Sequence, residues 1–106
     1  MFRRIFWNIR SRIRFALLIW GREINGEIER MKEEKRREWI ERGYPERLVF
    51  MALNMAKGWA ARMVEFATRD LPPDMREEVV VKLAPMMFKR ALKEVAEPWL
   101  ETMAGA

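Results

Sequence analysis

PERLVFMALNMAKGWAARMVEFATRDLPP, residues 45 to 73, sets the class of this chain. Its apolar residues fall in two neighbouring stripes, Leu48, Ala52, Met55, Trp59, Met63 and Phe66 on one and Val49, Leu53, Ala56, Ala60, Val64 and Ala67 on the other. That is the three-to-four-residue rhythm of an α-helix, not the alternation of a strand. Pro45 and Glu46 suit a first turn, where a missing N–H costs nothing and a carboxylate meets the positive end of the helix dipole. Asp70, Leu71, Pro72 and Pro73 end the helix near Arg69. Polar residues keep only a narrow strip around Arg47, Asn54, Lys57, Arg62 and Glu65. A helix this apolar is predicted to be contacted around most of its circumference, by its own domain or by another copy. Ala52, Ala56 and Ala60 form a small-residue ridge on which a neighbouring helix can approach closely.

On the amino-terminal side, apolar residues recur at 2, 6, 9, 13, 17, 20, 24, 28, 31 and 39, with Lys35 the one polar interruption. This predicts a helix from Phe2 to about Arg42. Gly43 suits a left-handed cap and Pro45 cannot continue the hydrogen-bond ladder, so the helix stops there. Gly21 and Gly26 are weak points, each costing up to about 1 kcal/mol relative to Ala, where a bend is expected if one occurs. Glu33 with Arg37 and Glu38 with Arg42 stand four apart, and Glu27 with Arg30 and Glu29 with Lys32 three apart, the spacing of a solvated, ion-paired face.

On the carboxyl-terminal side, Asp74 followed by Glu77 reads as a capping-box variant opening a third helix. Val79, Val80 and Val81 are β-branched, but no second strand is visible for them to pair with, and Lys82, Leu83 and Ala84 resume helix-favouring sequence. Pro85 is expected to kink or divide the segment, with Met86 to Glu97 continuing it. Pro98 opens a last turn carrying Trp99, Leu100 and Met103 before Gly105. The expected fold is therefore all-α: a long amino-terminal amphipathic helix over residues 1–43, then a small bundle over residues 44–106, about four helices with a Pro-kinked end, together one folding unit.

Composition narrows the chemistry. The 106 residues include no Cys and no His, which removes disulfides, the usual zinc, haem and non-haem iron ligand sets, and the commonest general base. The hydroxyls are Ser11, Tyr44, Thr68 and Thr102, none beside an obvious base, and no glycine-rich phosphate loop or dinucleotide fingerprint is present. No catalytic residue, metal or cofactor is expected. The longest charge-free runs, Phe15 to Gly21 and Leu48 to Ala56, are too short to span a bilayer. No small-residue cleavage site follows the basic start, so a place inside a cell or virion is expected over secretion. Scarce Asn, absent Gln and a preference for Arg over Lys fit a heat-adapted source.

Charge supplies the functional expectation. The net charge is +5, yet the first 22 residues hold Arg3, Arg4, Arg10, Arg12, Arg14 and Arg22 and no acid, while the remaining 15 Lys and Arg face all 16 Asp and Glu. On a helix the leading arginines share one broad arc, and Trp7 lies among Arg3, Arg10 and Arg14, so an indole is interleaved with guanidiniums. Such a face grips phosphates bidentately while the ring stacks; it also suits an anionic membrane surface, with Trp at headgroup level. The expected binding residues are Arg3, Arg4, Trp7, Arg10, Arg12 and Arg14. A straight helix to residue 42 is about 60 Å long, against a radius of gyration near 13 Å for a compact domain of this size. Its apolar stripe outreaches what its own chain can cover, and Phe6, Ile9, Ile13, Leu17 and Trp20 are expected to meet another subunit. The expected protein is non-enzymatic and self-associating, holding nucleic acid by its backbone. A peripheral membrane protein, or a small subunit of a membrane-associated complex, is the alternative.

Overall fold

The computed structural model describes residues 22–105, with side chains from residue 26 onward. Every regular element there is helical: α1 (Arg22–Glu41), α2 (Glu46–Thr68), α3 (Pro73–Ala91), a wide π-helical segment (Leu92–Ala96) and α4 (Glu97–Gly105). The last three follow one another without a loop, so the described chain is three rods. The expected helix start at Phe2, the possible bend at Gly21 and the full length of the first helix lie outside the described residues, and with them the total of about four helices. Within them, α1 runs through Gly26 unbroken.

Each chain reversal has a local cause. Gly43 takes φ +94°, the left-handed conformation that glycine adopts without a Cβ penalty. Its N–H donates to the Ile40 carbonyl at 3.0 Å and the Tyr44 N–H to the Trp39 carbonyl at 3.1 Å, the paired bonds of a Schellman cap. Pro45 then takes the N-cap of α2, one place before the expected first position. At the second reversal Pro73 is the first residue of α3 and Pro72 its N-cap. Asp74 is therefore inside the first turn rather than at the cap, a correction to the capping-box expectation: proline's fixed φ starts the helix one residue earlier than the side chain of Asp74 would. Arg76 closes this turn from the far side. Its Nε donates to the Thr68 carbonyl at 3.2 Å and its Nη2 to the Arg69 carbonyl at 2.9 Å, so a cation sits on the negative end of α2 and satisfies carbonyls that the helix itself leaves open.

The expected break at Pro85 does not divide the chain, for α3 continues through that residue to Ala91. The irregularity falls later. The Glu97 N–H bonds to the Leu92 carbonyl, five residues back, immediately before Pro98. Pro98 has no N–H to give, and its ring would crowd the Glu94 carbonyl in a regular helix; a widened turn ahead of it relieves both problems. Val79 to Val81 stay helical, as the missing partner strand requires.

All other elements of the described chain pack on α2. Its inward side is Val49, Ala52, Leu53, Ala56, Ala60, Val64 and Thr68, all buried. They meet one core with Ile28 and Trp39 from α1, Val80, Ala84, Phe88 and Ala91 from α3, Leu92 and Ala96 from the π segment and Leu100 from α4. The turn at Gly43 thus joins two helices of one packed bundle. Of the two stripes on α2, the small-residue one became the core, because alanines let α3 approach closely, and α3 answers with Ala84 and Ala91. The other stripe, apart from the fully buried Ala52, keeps partial exposure. Thr68 replaces Ala67 at the last inward position; its hydroxyl donates to the Val64 carbonyl at 2.7 Å, which makes it tolerable in the core. Lys35 lays its ammonium 5.9 Å from the centroid of the Trp39 ring and 2.9 Å from Glu38, so the interruption in the α1 stripe shields an apolar residue with its own stem.

Two stability measurements check this packing. Phe88→Ala removes a fully buried ring from the centre of the bundle and is expected to cost about 3–5 kcal/mol in chemical denaturation. Arg76→Ala leaves the carboxyl end of α2 uncapped at a half-exposed site, with an expected loss of about 1 kcal/mol; an unchanged melting curve for Arg76→Ala would contradict the capping role.

Candidate functional site

The expected binding residues Arg3, Arg4, Trp7, Arg10, Arg12 and Arg14, and the expected interface residues Phe6, Ile9, Ile13, Leu17 and Trp20, lie outside the described residues. What the described residues add is the electrostatic setting in which that segment is attached.

The bundle ties up much of its charge locally. On α1, the Arg36 guanidinium forks onto Glu33, with Nε to Oε2 at 3.1 Å and Nη2 to Oε1 at 2.9 Å, while Arg37 reaches the same carboxylate at 3.5 Å. Glu29 accepts from Lys32 at 3.5 Å and lies 3.9 Å from Lys57 of α2, so α1 and α2 are bridged across their flank. Arg36 also lies 3.8 Å from Glu46 at the start of α2, and Arg90 pairs with Glu94 at 3.0 Å. The most distant pair in sequence is Arg42 with Glu97, 2.8 Å apart; the same guanidinium lies 5.4 Å from the centroid of the Tyr44 ring. It fastens the α1–α2 turn to the start of α4. Sequence spacing offers no signal for a pair like this, because its partners are brought together only by the third rod.

These contacts shift protonation in the expected directions. The hydrogen bond from Arg36, with the charges of Arg36 and Arg37 beside it, holds the Glu33 carboxyl below its ordinary value against the opposing effect of desolvation. Arg36 is pushed up by the same bond and Arg42 by its bond to Glu97. Among the described residues, the Thr68 and Thr102 hydroxyls each bond to a carbonyl one turn back, and the Tyr44 ring lies beneath Arg42. Trp39 has no acceptor for its indole N–H, although its side chain is fully buried. Among the described residues no group of acidic side chains is arranged to hold a metal ion, and no helix is long and apolar enough to cross a membrane.

Comparison with protein-family models, with curated proteins and with solved structures found no match for this chain.

Because the folded pKa of Glu33 is lowered, its contribution to stability is complete above the ordinary carboxylate range and is lost as pH falls through the lowered value. Glu33→Gln is expected to flatten the acid side of the stability profile while leaving the neutral-to-alkaline side parallel to the parent. Urea titrations from neutral to acid pH report this directly.

Proposed function

We propose that this chain is a non-enzymatic, self-associating helical protein whose arginine-rich leading segment holds nucleic acid through backbone phosphates, as a coating or compacting protein of capsid or nucleoprotein type. The observation that carries this reading is the partition of charge. Six arginines precede the first acid, whereas from Glu23 onward the chain has 15 basic and 16 acidic residues. The bundle places many of these in pairs with one another, across helices as well as along them. A surface so balanced exerts little long-range attraction on a polyanion, so the attraction belongs to the segment that carries the surplus.

In this reading Arg3, Arg4, Arg10, Arg12 and Arg14 neutralise phosphates and Trp7 stacks or packs between them, which confers affinity without base readout. Phe6, Ile9, Ile13, Leu17 and Trp20 meet a neighbouring subunit. The bundle from α1 onward is the rigid body to which the segment is joined.

Binding to mixed-sequence duplex DNA as a function of salt tests the proposal. Five phosphate contacts give a log-log slope of about −4, and removing two arginines should shallow it by roughly two. An absence of binding at low salt ends the nucleic-acid reading. Retention by anionic vesicles, lost on Phe6→Glu with Ile9→Glu, would put a lipid headgroup surface in its place.

A further inference from the structure

The face of α2 that the other described residues leave uncovered reads nearly the same in both chain directions. Leu48 and Trp59 are half-buried there, and Met51, Met55, Met63 and Phe66 are 46, 37, 37 and 69% exposed. These residues lie along one side of the helix, and their spacing is three, four, four, four and three. Lay a second α2 against this face, antiparallel, with a two-fold axis at the level of residue 57. Leu48 then meets the second copy's Phe66, Met51 its Met63, and Met55 its Trp59, and each pairing is repeated across the axis as an isologous contact requires. In every pair a larger or flexible side chain faces one that can accommodate it, and methionine supplies the adaptable surface.

Charge agrees with that direction. Arg47 and Glu65 stand on the same rim of the stripe, toward opposite ends, and neither has an ion pair among the described residues. A two-fold antiparallel pair keeps each rim on its own side, so Arg47 comes within two residues of the level of the second copy's Glu65, a separation of about 3 Å along the axis that long side chains span, twice per dimer. A parallel two-fold pair would carry this rim of the two copies to opposite sides of the contact, so that Arg47 and Glu65 would gain no such partner. Gly58 lies on this rim near the middle, with nothing within 4 Å of the place a Cβ would occupy. Nothing among the described residues requires a glycine there, whereas a helix crossing closely at that level would.

We propose that the protein dimerises through α2, two copies antiparallel about a two-fold axis near residue 57. This adds a second surface to the self-association in the reading above, separate from the one assigned there to Phe6, Ile9, Ile13, Leu17 and Trp20, and does not rest on phosphate binding. One helix-to-helix contact is at the low end of interface sizes, so the dimer dissociates in the micromolar range.

The test is sedimentation equilibrium of the full chain at high salt without nucleic acid, which keeps its outcome separate from that of the duplex-binding experiment. A concentration-dependent monomer–dimer equilibrium is expected. Met55→Glu with Phe66→Glu should weaken it roughly a hundredfold, with helical content by circular dichroism unchanged because both side chains are exposed. Arg47→Glu and Glu65→Arg should each weaken it about tenfold, and the two together should restore it. Since the chain has no cysteine, orientation can be read by thiol cross-linking: Leu48→Cys with Phe66→Cys should give a covalent dimer, and Phe66→Cys alone should not. A monomer at all concentrations, a dimer indifferent to Met55→Glu with Phe66→Glu, no recovery in the charge swap, or efficient cross-linking by Phe66→Cys alone would each overturn the proposal.

Discussion

The architecture depends on the need to cover α2. Twenty-three residues of helix carry apolar side chains on most sides, and water around such a rod is unfavourable at roughly 25 cal/mol for each Å² of apolar surface. The chain meets this need by reversing at each end of the rod and laying α1 on one flank and the α3-to-α4 rod on another. Both reversals are built for tightness, one by a glycine in the left-handed conformation and the other by two successive prolines with an arginine fastened across the gap. Among the described residues three rods leave this coverage incomplete. The side left over carries exposed Met and Phe with Arg62 among them and Arg47 and Glu65 at the rim.

The electrostatic organisation divides the chain in two. Ion pairs in the bundle are mostly half-exposed and short in sequence, and pairs of that kind add little to stability individually. Their consequence is neutrality: they leave a body with little net field of its own, attached to a leading segment that has all the surplus. In the proposed reading, a polyanion approaching the molecule is therefore steered by the end of the chain and not by the bundle. Arg42 with Glu97 differs from the others in joining the first reversal to the last rod, and it adds a polar fastening at the end of the bundle where Leu100 and Trp39 complete the core.

Much of this fold is legible in the residues alone, wherever the cause is local. Gly43, Tyr44 and Pro45 announce a stop because a left-handed cap and a missing donor act within four residues. The helical period of residues 48–67 is equally plain. What the period cannot say is which of two adjacent apolar stripes faces inward, since both are greasy; side-chain size decides, through how near α3 can come. Thr68 was obscured for a related reason, a hydroxyl that looks polar in sequence but is satisfied by the carbonyl of Val64. Arg76 as a cap and Glu97 as a partner of Arg42 are tertiary facts with no signature in spacing. The candidate binding residues were read from sequence alone, and the structure contributes their setting, a neutral bundle with an uncovered side.

The wide turn at Leu92–Ala96 acts as a phase corrector. Core positions along this last rod, Val80, Ala84, Phe88, Leu92, Ala96 and Leu100, come at strict intervals of four, slower than an α-helix turns. A regular helix would carry Leu100 progressively off the inner side, whereas the broadened loop of backbone absorbs the surplus residue and returns the rod to register. The last nine helical residues can thus belong to the same interior as the nineteen of α3. A one-residue deletion within that loop, which would make the helix more regular, would rotate Trp99 and Leu100 out of alignment with everything they seal.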